Sequence, residues 1–242
     1  MTHWKYTLYR SAWSALDLLF PPLCGGCNKV GSRWCEACQK KIKILDGTVC
    51  DVCGLPQEQV GVCKTCLADR PHFHMLRAWT IYEEPIRSAI IRLKYKRDVS
   101  LGDSIAWQML PFFEKLHWHV DMIVPTPLGY RRKKERGYNQ AAMIAKPFAL
   151  ALQVSFEPTQ VIRVKETRTQ VGLDHIARKK NVEGAFQAGA SVKRKHIMVM
   201  DDVSTTGSTL SSMAEALYSA GAENVYALTV ARALAHHDFR QV

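Results

Sequence analysis

The thirteen residues from Ile197 to Thr209 carry the densest chemistry in this chain. They read Ile-Met-Val-Met, then Asp201-Asp202, then Val203 and the small hydroxyl-rich run Ser204-Thr205-Thr206-Gly207-Ser208-Thr209. The four apolar residues have the character of a fully buried parallel strand, and the two acids fall where such a strand would end. Leu210, Met213, Ala214 and Leu217 then repeat at i, i+3, i+4 and i+7, a helix stopped by Gly221. A turn that opens a helix offers an anion its unpaired backbone N–H groups and the positive end of the helix dipole. Thr205, Thr206, Ser208 and Thr209 add hydroxyl donors, and Gly207 lets the backbone come close. That set suits a monophosphate. Asp201 and Asp202 would repel one, but a carboxylate accepts hydrogen bonds from a ribose diol. Strand, acids, turn and helix in this order put a sugar phosphate at the carboxyl edge of an α/β sheet. The turn is not a Walker A loop, because it lacks the Gly-x-x-x-x-Gly-Lys-Ser/Thr pattern.

A second chemistry lies near the other end. All eight cysteines fall in four C-x-x-C units: Cys24/Cys27, Cys35/Cys38, Cys50/Cys53 and Cys63/Cys66. Each unit sets two thiolates on one tight turn, and two units make a tetrahedral site. A disulfide framework needs an oxidising compartment, and a thioredoxin-like pair occurs singly. Spacing leaves an iron–sulfur cluster open, but structural zinc is the preferred reading. Sequential pairing keeps the closed loops short. It gives one site from Cys24, Cys27, Cys35 and Cys38 and another from Cys50, Cys53, Cys63 and Cys66. With four thiolates each, neither site leaves a position for catalysis, so both are structural.

The elements that position these groups alternate between strand and helix. Met75–Tyr82 reads as a strand, and Pro85 starts a helix with Ile86, Ala89, Ile90 and Leu93 on one face. Leu93 to Asp98 reads as a basic loop. A helix from about Leu101 is bent or ended by Pro111, and Asp121–Val124 is a buried strand stopped by Pro125-Thr126-Pro127. Residues 128–140 read as a cationic loop, with Arg131, Arg132, Lys133, Lys134 and Arg136 around a single Glu135. The helix after it carries Ala142, Ala145, Ala149 and Leu152 and is expected to kink or split at Pro147. Val161–Val164, the run from His196 and Asn224–Ala231 supply further strands. Lys165–Gly172 is polar and loop-like, and Asp174 caps a helix reaching about Asn181. The alternation indicates an open, mostly parallel α/β sheet flanked by helices, preceded by a cysteine-rich module.

The expected organisation is an N-terminal amphipathic segment over 1–22, a double zinc ribbon over 23–68 and the α/β domain over 75–242. A net charge of +11 favours anionic partners without choosing among them. No apolar run reaches the ~18 residues that cross a bilayer. Asp17 interrupts the short N-terminal apolar stretch and no small-residue cleavage site follows, so a secretory signal is not expected. Trp13, Leu16, Leu19 and Phe20 suggest a short helix packed on the body, with peripheral membrane contact as the lesser reading. His117, His119, His236 and His237 show no metal-like spacing and read as surface or core residues.

The acid–turn stretch resembles the phosphoribosyl pyrophosphate (PRPP) motif of type I phosphoribosyltransferases. Taken with the cysteine cluster, Val124-Pro-Thr-Pro followed by Arg131 to Gln140, and Arg163 to Leu173 with Asn181-Val-Glu-Gly-Ala-Phe, the chain resembles the ComF family of competence proteins. The resemblance implies a double zinc ribbon joined to a type I phosphoribosyltransferase-like domain. It implies a cytoplasmic role in natural transformation, handling incoming single-stranded DNA, with PRPP and Mg²⁺ as ligands and DNA-uptake or helicase proteins as further partners. By motif, Asp201 and Asp202 face the ribose, and Thr205, Thr206, Gly207, Ser208 and Thr209 hold the 5-phosphate. Lys94 and Tyr95 occupy the pyrophosphate-side loop, and Arg163 and Arg168 lie on or beside the loop that closes over PRPP.

Two assignments stay open at this level. Arg131, Arg132, Lys133, Lys134 and Arg136, with Tyr130 and Tyr138 as stacking rings, read either as a solvated charge run or as a DNA backbone track. Arg136, Tyr138, Asn139 and Gln140 equally suit the wall of the PRPP pocket. Whether PRPP is bound as a signal or consumed by an active phosphoribosyltransferase is the other. Transfer would need the acids as positioning groups and cations on the leaving pyrophosphate. A PRPP-sensing, nucleic-acid-binding regulator would use the same groups without turnover.

Overall fold

The structure is a computed structural model and describes residues 21–165 and 182–234. The expected N-terminal helix, Arg168, the helix from Asp174, Asn181, and His236 and His237 lie outside these residues.

Five parallel strands form the central sheet in the order β1-β7-β6-β2-β3. They are β1 (Met75–Ile81), β2 (Met122–Pro125), β3 (Ser155–Phe156), β6 (His196–Ser204) and β7 (Asn224–Arg232). Two short strands, β4 (Val161–Arg163) and β5 (Phe186–Ala188), pair antiparallel outside it. The helices are α1 (Glu36–Gln39), α2 (Lys64–Ala68), α3 (Ile86–Tyr95), α4 (Leu101–Glu114), α5 (Tyr130–Arg136), α6 (Gln140–Leu152) and α7 (Ser208–Ser219).

The central strands are apolar on both faces because both are covered. Met198, Met200, Leu228 and Val230 face one core with α3, α4 and α6. Ile197, Val199, Val225 and Ala227 face a second core with α7, Phe73 and the buried Cys50, Val52, Cys53 and Cys66. The chain leaves β2 through α6 for β3, and leaves β6 through α7 for β7, on opposite faces and in opposite directions along the sheet. The crevice between the carboxyl ends of β2 and β6 is therefore the topological switch point, where open α/β sheets bind ligands.

Four local expectations are corrected. The strand does not end before the acids: β6 runs on to Ser204, because β7 stays in register beside it to Arg232. The run Arg131–Arg136 is not a loop but most of helix α5, closed by Gly137 at φ 80°. Lys94 and Tyr95 lie in the last turn of α3 rather than in a loop. Pro111 and Pro147 sit inside α4 and α6, which continue past them. Pro147 removes the N–H that would bond the carbonyl of Met143, and that carbonyl instead faces Gly102 of α4. A Cβ on Gly102 would lie 2.4 Å from it, so the two helices touch where the proline frees an acceptor.

The cysteine-rich module is sewn to the outer edge of β1. Leu45 N–H donates to Trp79 O (2.9 Å), Ile81 N–H to Lys43 O (3.0 Å) and Leu76 N–H to Val52 O (2.7 Å). Among the described residues no helix is long and apolar enough to cross a membrane.

Candidate functional site

Asp201 and Asp202 stand at the carboxyl end of β6, beside the end of β2. Asp202 is 3% exposed. One of its oxygens lies 2.5 Å from Lys94 Nζ at the end of α3, and the other accepts from Gln140 Nε2 (2.9 Å) at the start of α6. Burial alone would push this carboxyl up; the Lys94 ammonium and the hydrogen bonds overcome it and hold Asp202 below the usual carboxylate range. Lys94 is pushed up in turn: burial works against its charge, and Asp202 outweighs burial. Asp201 behaves oppositely. Burial first, then the like charge of Asp202, raises it well above the usual value. Asp201 is half-buried, and its Oδ1 accepts the backbone N–H of Asp202 (2.8 Å). The two acids are thus unlike: Asp202 is locked to Lys94 and Gln140, whereas Asp201 is the less buried of the two.

The segment Arg136-Gly137-Tyr138-Asn139-Gln140 builds the wall opposite. Arg136 donates to Gln140 Oε1, so an ordered chain runs from Arg136 through Gln140 to Asp202 and Lys94. Asn139 caps α6 by accepting from Ala141 N–H (3.0 Å) and donates to Thr126 O (2.9 Å), tying the helix start to the end of β2. The Tyr138 hydroxyl donates to Leu93 O, so this tyrosine holds α3 in place instead of standing free as a stacking ring. Arg136 lies over the Tyr95 ring at 5.3 Å.

Lys94, Tyr95, Arg97, Arg132, Glu135 and Arg136 line one open cleft of about 150 Å³. Four cations stand against one carboxylate in the lining; the Lys94 charge is paired with Asp202, and Arg97, Arg132 and Arg136 leave the cleft net positive. The cationic run therefore divides: Arg132 and Arg136 face this cleft, while Lys133 and Lys134 are exposed outside it. Arg131 pairs with Glu135 one turn on (2.8 Å), and Tyr130 is 73% exposed.

Beyond β6, Gly207 takes φ 80° as the N-cap of α7. A Cβ there would meet Leu76 and Phe73 at 3.3–3.4 Å. Thr205, Thr206, Ser208 and Thr209 are all half-buried around the helix start. Thr206 Oγ1 and Ser208 Oγ lie 2.8 Å apart, and Ser208 N–H points at Thr206 Oγ1 (3.3 Å). Arg163 is not among the residues of the cleft. It ends β4, with its guanidinium over Phe186 at 5.5 Å.

The eight thiols form two groups in sequential pairing, Cys24/Cys27/Cys35/Cys38 and Cys50/Cys53/Cys63/Cys66. Sulfur separations of 3.6 Å for Cys24–Cys38, 3.6 Å for Cys27–Cys35 and 3.8 Å for Cys53–Cys63 exclude disulfides. Four sulfurs about 2.3 Å from a zinc ion, at tetrahedral angles, stand about 3.8 Å apart, so the donors fit two structural zinc ions. The two halves repeat one device: Cys35 N–H points at Cys24 Sγ (3.4 Å) and Cys63 N–H at Cys50 Sγ (3.2 Å). Arg92 donates to Cys24 O (2.7 Å) and Asn28 Oδ1 (2.7 Å), and buried Arg232 donates to Cys53 O (2.9 Å).

The partners of Asn139 and Gln140, Thr126 O and Asp202, are set by strand ends far away in the chain, which no local spacing indicates. His119 corrects the expectation that it stands apart from other ligands: it gathers with Asp121 and His196 at the opposite end of the sheet.

Residues 15–67 match the double zinc ribbon domain family and residues 138–240 the phosphoribosyl transferase domain family. The DNA utilization protein YhgH of Shigella flexneri is 31% identical over 90% of this chain and 100% of its own length. Competence protein F of Haemophilus influenzae is 31% identical over 82% of this chain and 90% of its own. Competence protein ComFC of Bacillus subtilis is 26% identical over 91% and 89%. In sequence along nearly its whole length, and in its union of two four-cysteine sites with a parallel phosphoribosyltransferase-like sheet, the chain belongs to the ComF family.

Proposed function

We propose that this chain binds PRPP at the switch point between β2 and β6 and acts in natural transformation, handling incoming single-stranded DNA on the cytoplasmic side. The observation that carries the reading is the pairing of a cation-lined cleft with the acid pair of half-buried Asp201 and buried Asp202 at one sheet edge. In this reading the diphosphate takes the cleft of Lys94, Arg97, Arg132 and Arg136. The Thr205–Thr209 turn at the start of α7 takes the 5-phosphate, and Asp201 takes the ribose diol. Asp202 acts through Lys94, holding its ammonium at the cleft. The excess of positive charge suits a diphosphate better than a bare cation, so Mg²⁺ enters with the diphosphate and takes most ligands from phosphate oxygens and water. The relatives' names, DNA utilization protein and competence protein, support the DNA role, and exposed Lys133, Lys134 and Tyr130 supply a backbone track and a ring beside the cleft.

Calorimetry with PRPP and Mg²⁺ tests the site. Asp201→Ala and Thr206→Val each remove a hydrogen-bonding group aimed at a charged or polyhydroxyl ligand, worth about 1.5–3 kcal/mol, so affinity should fall roughly 10- to 100-fold. Undiminished binding in both variants would reject the assignment.

A further inference from the structure

We propose a third metal site, separate from the two four-cysteine sites, in which His119, Asp121 and His196 hold a divalent transition ion of the zinc type. The three ligand atoms lie within 4.8 Å of one another. His119 Nε2 and Asp121 Oδ1 are 3.3 Å apart. That is the spacing of two ligands about 2.0–2.1 Å from a zinc ion across a tetrahedral angle.

The fold fixes two of the three ligands. Asp121 immediately precedes β2 and His196 opens β6, its neighbour in the sheet. Asp121 N–H donates to His196 O (2.9 Å), and His196 N–H returns to Asp121 Oδ2 (2.8 Å). The carboxylate is thereby oriented with Oδ1 left for a metal. The Asn224 amide, from the first residue of β7, sits 3.1 Å from His196 Nδ1. Turned with its oxygen inward, that amide accepts the Nδ1–H of a ring bound through Nε2, the outer-sphere support usual for metal-bound histidine. His119 is the movable member: its side chain is 74% exposed, and its ring stands edge-on to His196 at 5.0 Å. A small rotation closes the set. Three protein ligands at a surface leave at least one position for water or for a donor from a partner.

The donor set also chooses the ion. Two imidazoles and one carboxylate suit zinc, nickel, cobalt or copper, whereas magnesium and calcium need more oxygen. Lys193, Arg194 and Lys195 lie just before His196, so no negative field gathers cations here, and binding rests on coordination. Five residues of strand at about 3.3 Å each put the site roughly 16 Å from Asp201, on the other edge of the sheet. It does not depend on the PRPP reading.

The test is zinc titration of the full chain with both ribbons loaded, read as zinc retained per chain after gel filtration and by the histidine ring resonances. The wild type should hold a third equivalent, whereas His119→Ala and His196→Ala should hold two, with the melting temperature of His119→Ala unchanged. A tenfold excess of magnesium should not displace the third ion. No third equivalent, or one that persists in His119→Ala, overturns the proposal; the second result would locate the ion elsewhere.

Discussion

Replacing Lys94 with methionine removes the partner of a carboxylate that is almost fully buried. The pair is 2.5 Å long, with side-chain exposures of 12% and 4%, so solvent screening does little to weaken it. Breaking such a pair from one side costs about 3–5 kcal/mol, mostly because a charge is left buried without compensation. Gln140 still donates to the other oxygen of Asp202, which argues for the lower end, about 3 kcal/mol. At roughly 2–4 °C per kcal/mol for a chain of this size, the melting temperature should fall by about 6–12 °C. The double variant Lys94→Met, Asp202→Asn removes both charges and keeps an acceptor for Gln140, so it should recover most of the loss. The pH dependence has a definite sign. In the wild type Asp202 is held low, so its contribution is present above the unfolded carboxylate value, about 3.9, and is lost as pH falls through the folded value. In Lys94→Met only the hydrogen bonds, chiefly from Gln140, still oppose burial, and the folded value should rise above the unfolded one. The penalty is then full at high pH and shrinks as acid neutralises the carboxyl. Calorimetric melts of the zinc-loaded chain between pH 8 and pH 5 measure this. A drop under 2 °C, a double variant no better than the single, or a deficit indifferent to pH would refute the reasoning.

Stripping the zinc should unsettle the whole molecule, because Cys50, Cys53, Cys66 and Val52 share a core with Val199 and Ala227; chelation followed by circular dichroism should show the sheet melting earlier, not the ribbons alone. Gly54→Ala should cost at least ~1 kcal/mol and loosen zinc, since the residue has φ 65° and a Cβ there would lie 2.5 Å from Leu76 O; a melt and a zinc assay check it. Lys133→Gln with Lys134→Gln should weaken single-stranded DNA binding and flatten its salt slope by about 1.4, at ~0.7 per lost phosphate contact, while leaving PRPP affinity unchanged; fluorescence anisotropy across a salt series measures it.

What could be read from the residues was what depends on short spacing. The sequential grouping of the C-x-x-C units follows from loops of seven to nine residues between paired units, and the acid–turn–helix stretch is continuous in the chain. The misreadings share another cause: they turn on neighbours distant in sequence. β6 persists through Asp201 and Asp202 because β7 lies beside it, and Arg131–Arg136 coils because α5 is pinned between Gly129 and the capped start of α6. Pro147 is tolerated beside Gly102, 45 residues earlier, which has no Cβ and so leaves room for the Met143 carbonyl that the proline releases. The His119–Asp121–His196 group was invisible for the same reason, since 75 residues separate its backbone-clipped members. The placements of Arg163 over Phe186 and of the Tyr138 hydroxyl on Leu93 O depend on residues distant in the chain in the same way.

The seam between the cysteine-rich module and β1 has a consequence for company. Backbone groups of Leu76, Trp79 and Ile81 are already spent on Val52, Leu45 and Lys43, and the strand at the far rim, β3, is two residues long. A visiting strand finds almost no bare rail of amides to zip onto. Among the described residues, filament growth by strand addition to the central sheet is thereby discouraged.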